Sequence, residues 1–163
     1  MIKKKICMLG NPGVGKTSLV RQFVYSAFSD KYLATLGVKI DQKTVTVGQQ
    51  EVNLLLWDLE GLTDLRALQT AYLRGAAGYL LVADGTRVAT LETIARLQQQ
   101  IEELLGKMPF ALALNKKDLA GEWPTAEERL SELAHNGWRI FRTSAKTGEN
   151  VEQAFMDLAA RLV

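Results

Sequence analysis

Cysteine is almost missing from this chain, as are proline and histidine, with one Cys, three Pro and one His among 163 residues. A lone cysteine forms no internal disulfide, and the neighbours of Cys7 (Ile6, Met8, Leu9) make it a small buried hydrophobe rather than a redox centre. No segment approaches the roughly eighteen apolar residues of a membrane span. The apolar run after Lys3-Lys4-Lys5 stops at Gly10, too short for a signal-peptide core. A large charge imbalance is also lacking. Twenty basic residues against eighteen acidic leave +2, too little for a nucleic-acid footprint even with an isoelectric point near 8.7. The lysine run is expected to be a solvated strand end rather than a membrane or nucleic-acid patch. The chain ends Arg161-Leu162-Val163 with no cysteine for a prenyl anchor. These absences lead to the expectation of a cytoplasmic monomer, one domain over residues 1–163. Its 47% hydrophobic content is enough for a core at this length without staples.

Hydrophobic periodicity alternates strands with helices, the pattern of a mostly parallel sheet covered on both faces. Strands are expected at Ile6 to Leu9, Val38 to Val47, Val52 to Trp57, Tyr79 to Ala83, Phe110 to Leu114 and Trp138 to Phe141. The second and third flank Gly48-Gln49-Gln50, a short loop that suits an antiparallel hairpin at the sheet edge. A helix is expected from Gly15 to Tyr25. Leu91, Ile94, Leu97, Ile101, Leu104 and Leu105 form the core stripe of a long middle helix, and Val151, Ala154, Phe155, Leu158, Ala159 and Leu162 that of the last one. Thr125 with Glu128 has the spacing of a capping box, Asn136-Gly137 closes that helix, and Asn150 with Gln153 opens the last. His135, in a last helical turn, suits the dipole and not catalysis.

Gly10-Asn11-Pro12-Gly13-Val14-Gly15-Lys16-Thr17 follows an expected strand and opens an expected helix, the context of a phosphate-binding loop. Its four fixed positions arise by chance in a chain this long with a probability on the order of 1% or less. Glycines let backbone N–H groups turn inward around phosphate oxygens, and the helix dipole adds favourable charge. Lys16 reaches β- and γ-phosphates, and the Thr17 hydroxyl takes one position on Mg²⁺. Asn115-Lys116-Lys117-Asp118 lies at the C-terminal end of a strand, where open α/β sheets bind ligands. Asp118 accepts two hydrogen bonds from N1–H and the exocyclic amine of guanine; adenine has no such donor pair and leaves the carboxylate unpaired.

In this order, the two motifs resemble the Ras superfamily of small GTPases, the Rab branch most of all. With them go Thr35-Leu36-Gly37-Val38, Trp57-Asp58-Leu59-Glu60-Gly61, Tyr72-Leu73-Arg74-Gly75-Ala76 and Thr143-Ser144-Ala145-Lys146-Thr147-Gly148-Glu149-Asn150-Val151, so the likeness covers essentially the whole chain. It implies a P-loop NTPase G domain, a six-stranded, mostly parallel sheet with one antiparallel edge strand and helices on both faces. It also implies Mg²⁺ as cofactor and GTP/GDP as ligand and substrate. By the same likeness phosphate is held by the N–H groups of Gly13 and of Gly15 to Ser18, with Val14 inside the loop. Thr35 binds Mg²⁺ and signals the γ-phosphate, Asp58 holds a magnesium-bound water, and Gly61 N–H contacts the γ-phosphate. Phe28 and Lys116 flank the guanine and Ala145 N–H meets its O6; Asp30, Asn115, Ser144 and Lys146 complete the nucleotide set. The residues acting in hydrolysis are expected to be Lys16, Thr35, Gly61 and Glu60.

Three positions depart from the family pattern. Leu62 stands where the family has the glutamine that orients the attacking water, so GTP binding is better supported than turnover. Glu60, usually alanine, is the candidate for the missing acceptor; its plainer reading is a solvent-facing charge. Pro12 lacks an N–H, and its ring stands near the γ-phosphate, where a partner's arginine finger enters. The Rab effector triad falls on Ile40, Trp57 and Tyr72, with one aromatic lost; Trp57 is either a packed strand residue or, with its neighbours, a protein-partner surface. The expected function is a GTP/GDP switch with slow hydrolysis, its mobile segments at about Asp30 to Val38 and Glu60 to Arg74. The alternative is a nucleotide-holding module with negligible hydrolysis. A small-molecule kinase is disfavoured because no arginine cluster lies between the motifs.

Overall fold

Six strands form one sheet in the order β2-β3-β1-β4-β5-β6. The computed structural model describes residues 1–26, 38–59, 71–123 and 127–163. The strands are β1 (Ile2–Leu9), β2 (Val38–Val47), β3 (Gln50–Leu59), β4 (Gly78–Asp84), β5 (Phe110–Asn115) and β6 (Ile140–Arg142). Only β2 runs antiparallel to its neighbour. Among the described residues the helices are α1 (Lys16–Tyr25), α2 (Val88–Leu105), α3 (Glu127–His135) and α4 (Val151–Ala160), with a 3₁₀ segment at Lys117–Glu122. This is the expected α/β architecture with its antiparallel edge hairpin. Val47 pairs with Gln50, and Gly48 supplies the positive φ of 63° that the two-residue turn requires.

Alternation along each strand divides the core into two layers. Ile6, Met8, Leu80, Val82, Ala111 and Ala113 face one side, where α1 and α4 close over them with Leu19, Phe23, Phe155 and Leu158. Phe23 and Phe155 stack with centroids 4.2 Å apart and thereby lock the two helices together. Cys7, Leu9, Tyr79, Leu81, Leu112 and Leu114 face the other side, under Leu91, Ile94, Leu97 and Ile101 of α2 and Leu130 and Leu133 of α3. Strands buried on both faces read as continuous apolar runs, which is why β4 and β5 are so hydrophobic.

Several expected boundaries change, and β3 runs from Gln50 to Leu59 rather than from Val52 to Trp57. Strand β1 starts at Ile2, so Lys3 to Lys5 pair in register with Asn53 to Leu55 rather than forming a free strand end. The Lys5 ammonium stands 3.7 Å from the centre of the Trp57 ring and donates to Arg74 O at 2.9 Å, so this charge is tied down by a cation–π contact. Leu104 leaves the α2 stripe at 61% exposure, whereas Leu105 in the same turn packs against the core. Strand β6 begins at Ile140, and Trp138 instead stands edge-on to Phe110 at 5.2 Å. Helix α4 ends at Ala160, and Leu162, half-buried, packs on the core from beyond it. Asn150 does occupy the N-cap of α4, but in the left-handed conformation and without a side-chain cap bond; its Nδ2 donates to Arg142 O at 2.8 Å. Thr125 lies outside the described residues.

Candidate functional site

The loop of residues 10–17 joins the end of β1 to the start of α1 and turns at three glycines with positive φ: Gly10 at 156°, Gly13 at 78° and Gly15 at 104°. Two of these positions also exclude a side chain by space. A Cβ on Gly10 would lie 2.3 Å from Val82 O, and one on Gly15 would lie 2.2 Å from Asn115 Nδ2. Gly15 is the N-cap of α1, with no side-chain cap bond and no acidic residue in the first turn. The helix therefore presents its N–H donors and its positive dipole end to this loop without a built-in anion. Lys16, only 6% exposed, donates to Gly10 O at 3.0 Å and to Asn11 O at 3.2 Å, which holds its ammonium inside the loop. Glycine freedom, helix terminus and buried cation together make an anion cradle of phosphate character.

Beside it lie two more loops, from the ends of β5 and β6. Asn115 is buried and wires all three: its Nδ2 donates to Val14 O at 3.0 Å, and its Oδ1 accepts from Thr143 Oγ1 at 3.1 Å and Ala145 N at 3.3 Å. The Ala145 N–H expected to meet a guanine O6 is thus turned onto Asn115 in this structure. Asp118 is exposed, and Ser144 Oγ donates to its Oδ1 at 2.8 Å, which holds the carboxylate against the loop after β6. Lys146 is exposed, whereas Ser144 and Ala145 are buried. Lys116 takes a left-handed φ of 73°; its carbonyl accepts from Trp123 Nε1 at 3.0 Å, and its ammonium pairs with Asp84 at 2.8 Å.

At the opposite end of the phosphate loop, Thr17 Oγ1 donates to Asp58 Oδ2 at 2.5 Å. A hydroxyl and a carboxylate brought this close form an all-oxygen donor set, the kind that suits a hard divalent cation such as Mg²⁺. Ser18, in the first turn of α1, completes the loop's donor row. Phe28, Asp30, Thr35, Glu60, Gly61 and Leu62 lie outside the described residues.

The Ras family profile matches residues 5–163. The chain belongs to the Ras family. It is 36% identical over 157 residues to Ras-related protein Rab-13 of Canis lupus familiaris, an alignment covering 95% of this chain and 77% of that protein. It is 36% identical over 161 residues to Ras-related protein Rab-4A of Rattus norvegicus (98% and 74%), and 35% identical over 161 residues to Ras-related protein Rab-30 of Homo sapiens (98% and 79%). This member of the Ras family is a Rab-like small GTPase, and GTP binding is its general activity. The six-stranded G domain described above is the fold expected of it.

On the second face of this GTPase, Ile40 and Trp57 are direct cross-strand partners and project from the same side of the hairpin. Cys7, in register with Trp57 on β1, reaches Tyr72 O with its sulfur at 3.7 Å, which brings Tyr72 beside them. Trp57 packs against the core while Ile40 and Tyr72 are 49% and 37% exposed, so the outward apolar surface comes from the two flanking residues. Burial pushes the Cys7 thiol up to about 12 despite nearby Lys5, so it stays protonated and inert.

Three residues near the site were missed in the sequence: Asp84, Arg87 and Trp123. Asp84 ends β4 directly beside Asn115 of β5, and a carboxylate at a strand's C-terminal end next to a motif strand was the available signal. Trp123 had none, because what fixes it is Gly85, where a Cβ would fall 2.0 Å from the indole Cε2.

Proposed function

We propose that this GTPase is a Mg²⁺-dependent GTP/GDP switch that hydrolyses GTP slowly and addresses protein partners through residues 30–38 and 60–74. The observation that carries the reading is the convergence of the phosphate loop, the loop of residues 115–118 and residues 143–146 on the single buried side chain of Asn115. One nucleotide lying across these loops has its phosphates at the uncapped start of α1 and its base at Asp118.

In this reading the N–H groups of Gly13 and of Gly15 to Ser18 surround the phosphates, with Lys16 adding charge at their β and γ positions. Thr17 and Thr35 would hold Mg²⁺, with Asp58 on one of its waters, and the ion would supply positive charge beside the phosphates. Asp118, held by Ser144, selects guanine by accepting from N1–H and the exocyclic amine. Phe28 and the Lys116 stem flank the ring, with Ala145 N–H, Asp30 and Lys146 at its margin. Thr35 and Gly61 respond to the γ-phosphate, and its loss releases both segments. Ile40, Tyr72 and the edge of Trp57 form the apolar partner surface. Slow hydrolysis follows from Leu62, which has no group to hydrogen-bond water. The second reading, a nucleotide-holding module with negligible hydrolysis, is favoured by that same residue and differs only in whether Glu60 or a partner supplies the acceptor.

Competition of a fluorescent GDP analogue against GDP and ATP tests the assignment. GDP is expected to displace it at least a hundredfold more effectively, since a site that hydrogen-bonds a donor pair can reject an analogue lacking it by about 10⁴-fold. Asp118→Ala should weaken GDP binding by about 3 kcal/mol or more through the loss of two charge-assisted hydrogen bonds. Equal displacement by ATP contradicts the base assignment.

A further inference from the structure

Asp84, 1% exposed at the end of β4, gathers donors that the nucleotide motifs alone do not account for. Its Oδ1 accepts from Thr86 N at 2.8 Å and Thr86 Oγ1 at 2.7 Å. Its Oδ2 pairs with the Lys116 ammonium at 2.8 Å and with Arg87 Nε at 3.1 Å. The Arg87 guanidinium then extends its Nη2 to Pro12 O at 3.0 Å. A continuous chain thus runs from the phosphate loop at Pro12, through Arg87 and Asp84, to Lys116 in the base loop. It is separate from the Asn115–Val14 bond, which joins the same two loops from below.

We propose that Arg87 is a positioning residue for the bound nucleotide, a planar fork that ties the Pro12 carbonyl to Asp84 and so holds the phosphate and base loops at a fixed separation. Proline explains the need for it: position 12 has no N–H, leaving its carbonyl as the only backbone group there by which a neighbouring loop can be secured. A guanidinium serves both acceptors at once because its donors diverge in a rigid plane, and an ammonium is a point charge without that geometry. The burial that raises the Asp84 carboxyl is outweighed by Lys116, Thr86 and Arg87, which hold it below the usual carboxylate range. The fork is therefore charge-assisted at the Asp84 end at neutral pH. Arg87 is also the N-cap of α2, but only through its backbone: its N–H donates to Asp84 O at 2.9 Å and its carbonyl accepts from Thr90. Replacing the side chain leaves that cap in place.

The inference rests on the guanine-nucleotide reading above, and release of a fluorescent GDP analogue from the loaded protein tests it. Failure of the native protein to load GDP defeats that reading itself, whereas the comparisons among variants concern Arg87 alone. Arg87→Ala is expected to release GDP about fivefold faster, the equivalent of one modest hydrogen bond, with the preference for GDP over ATP unchanged. Arg87→Lys should stay at least about threefold faster than native, because one point charge does not span both acceptors. Arg87→Ala combined with Asp84→Asn should release GDP no more than about twofold faster than Asp84→Asn alone, since both changes open the same chain. Native release rates in Arg87→Ala, full rescue by lysine, or independent multiplicative effects in the double variant would each overturn the proposal.

Discussion

At the residue scale, the proposed slow hydrolysis is tested at Leu62 and at Glu60, two positions before it. With Lys16, Thr17, Thr35, Asp58 and Gly61 all present in the sequence, the proposed slow hydrolysis would come from poor positioning of the attacking water and not from weak phosphate binding. Leu62→Gln should then raise single-turnover GTP hydrolysis while leaving GTP affinity within about twofold; general positioning of this kind contributes about 10²-fold or more. If Glu60 already orients the water, Leu62→Gln changes little and Glu60→Ala abolishes the native rate. A second prediction concerns Asp84, whose carboxyl is held below its ordinary value of 3.8. A depressed carboxyl contributes stability that is present at neutral pH and is lost as pH falls through the depressed folded value. Asp84→Asn should accordingly cost about 1–3 kcal/mol at pH 7 and narrow the gap to native as the pH is lowered below about 3.8 in denaturant titrations. A gap that stays constant down to acid unfolding would remove Asp84 from the account. Residue motifs were legible because their chemistry is local: glycines, Lys16 and Thr17 are contiguous. Asp84 was not, since Lys116 reaches it only when β4 and β5 pair, even though Arg87 lies three residues on in the chain.

At the scale of elements, periodicity located the central strands β4 and β5 because burial on both faces leaves few polar interruptions. It failed at ends, where the partner decides. Lys3 to Lys5 become strand because β3 offers a parallel ladder, and Trp138 leaves β6 because its ring finds Phe110. Leu104 shows the same limit from the helical side, having the spacing of the α2 stripe but facing solvent in its last turn. Leu97→Ala, at a fully buried position, should therefore cost about 2–5 kcal/mol of unfolding free energy, while Leu104→Ala should stay within about 0.5 kcal/mol. Urea denaturation of both variants measures the difference, and comparable losses would contradict the layer assignment.

For the whole molecule, the sheet order places the ends of β1, β4, β5 and β6 along one edge, and the loops that leave them share Asn115 and Asp84 as junctions. The family likeness was legible across the chain because its motifs sit at these loops, one after another in sequence. Tyr25 Oη donates to Asp41 Oδ1 at 2.8 Å and ties the last turn of α1 to β2. The central claim is that this GTPase switches, and hydrogen exchange of residues 30–38 tests it most directly. With Mg²⁺ and a non-hydrolysable GTP analogue, exchange there should be slower than with GDP, because Thr35 gains its ligands only with the γ-phosphate. Equal exchange in the two states would contradict the switch and leave a static nucleotide-holding module.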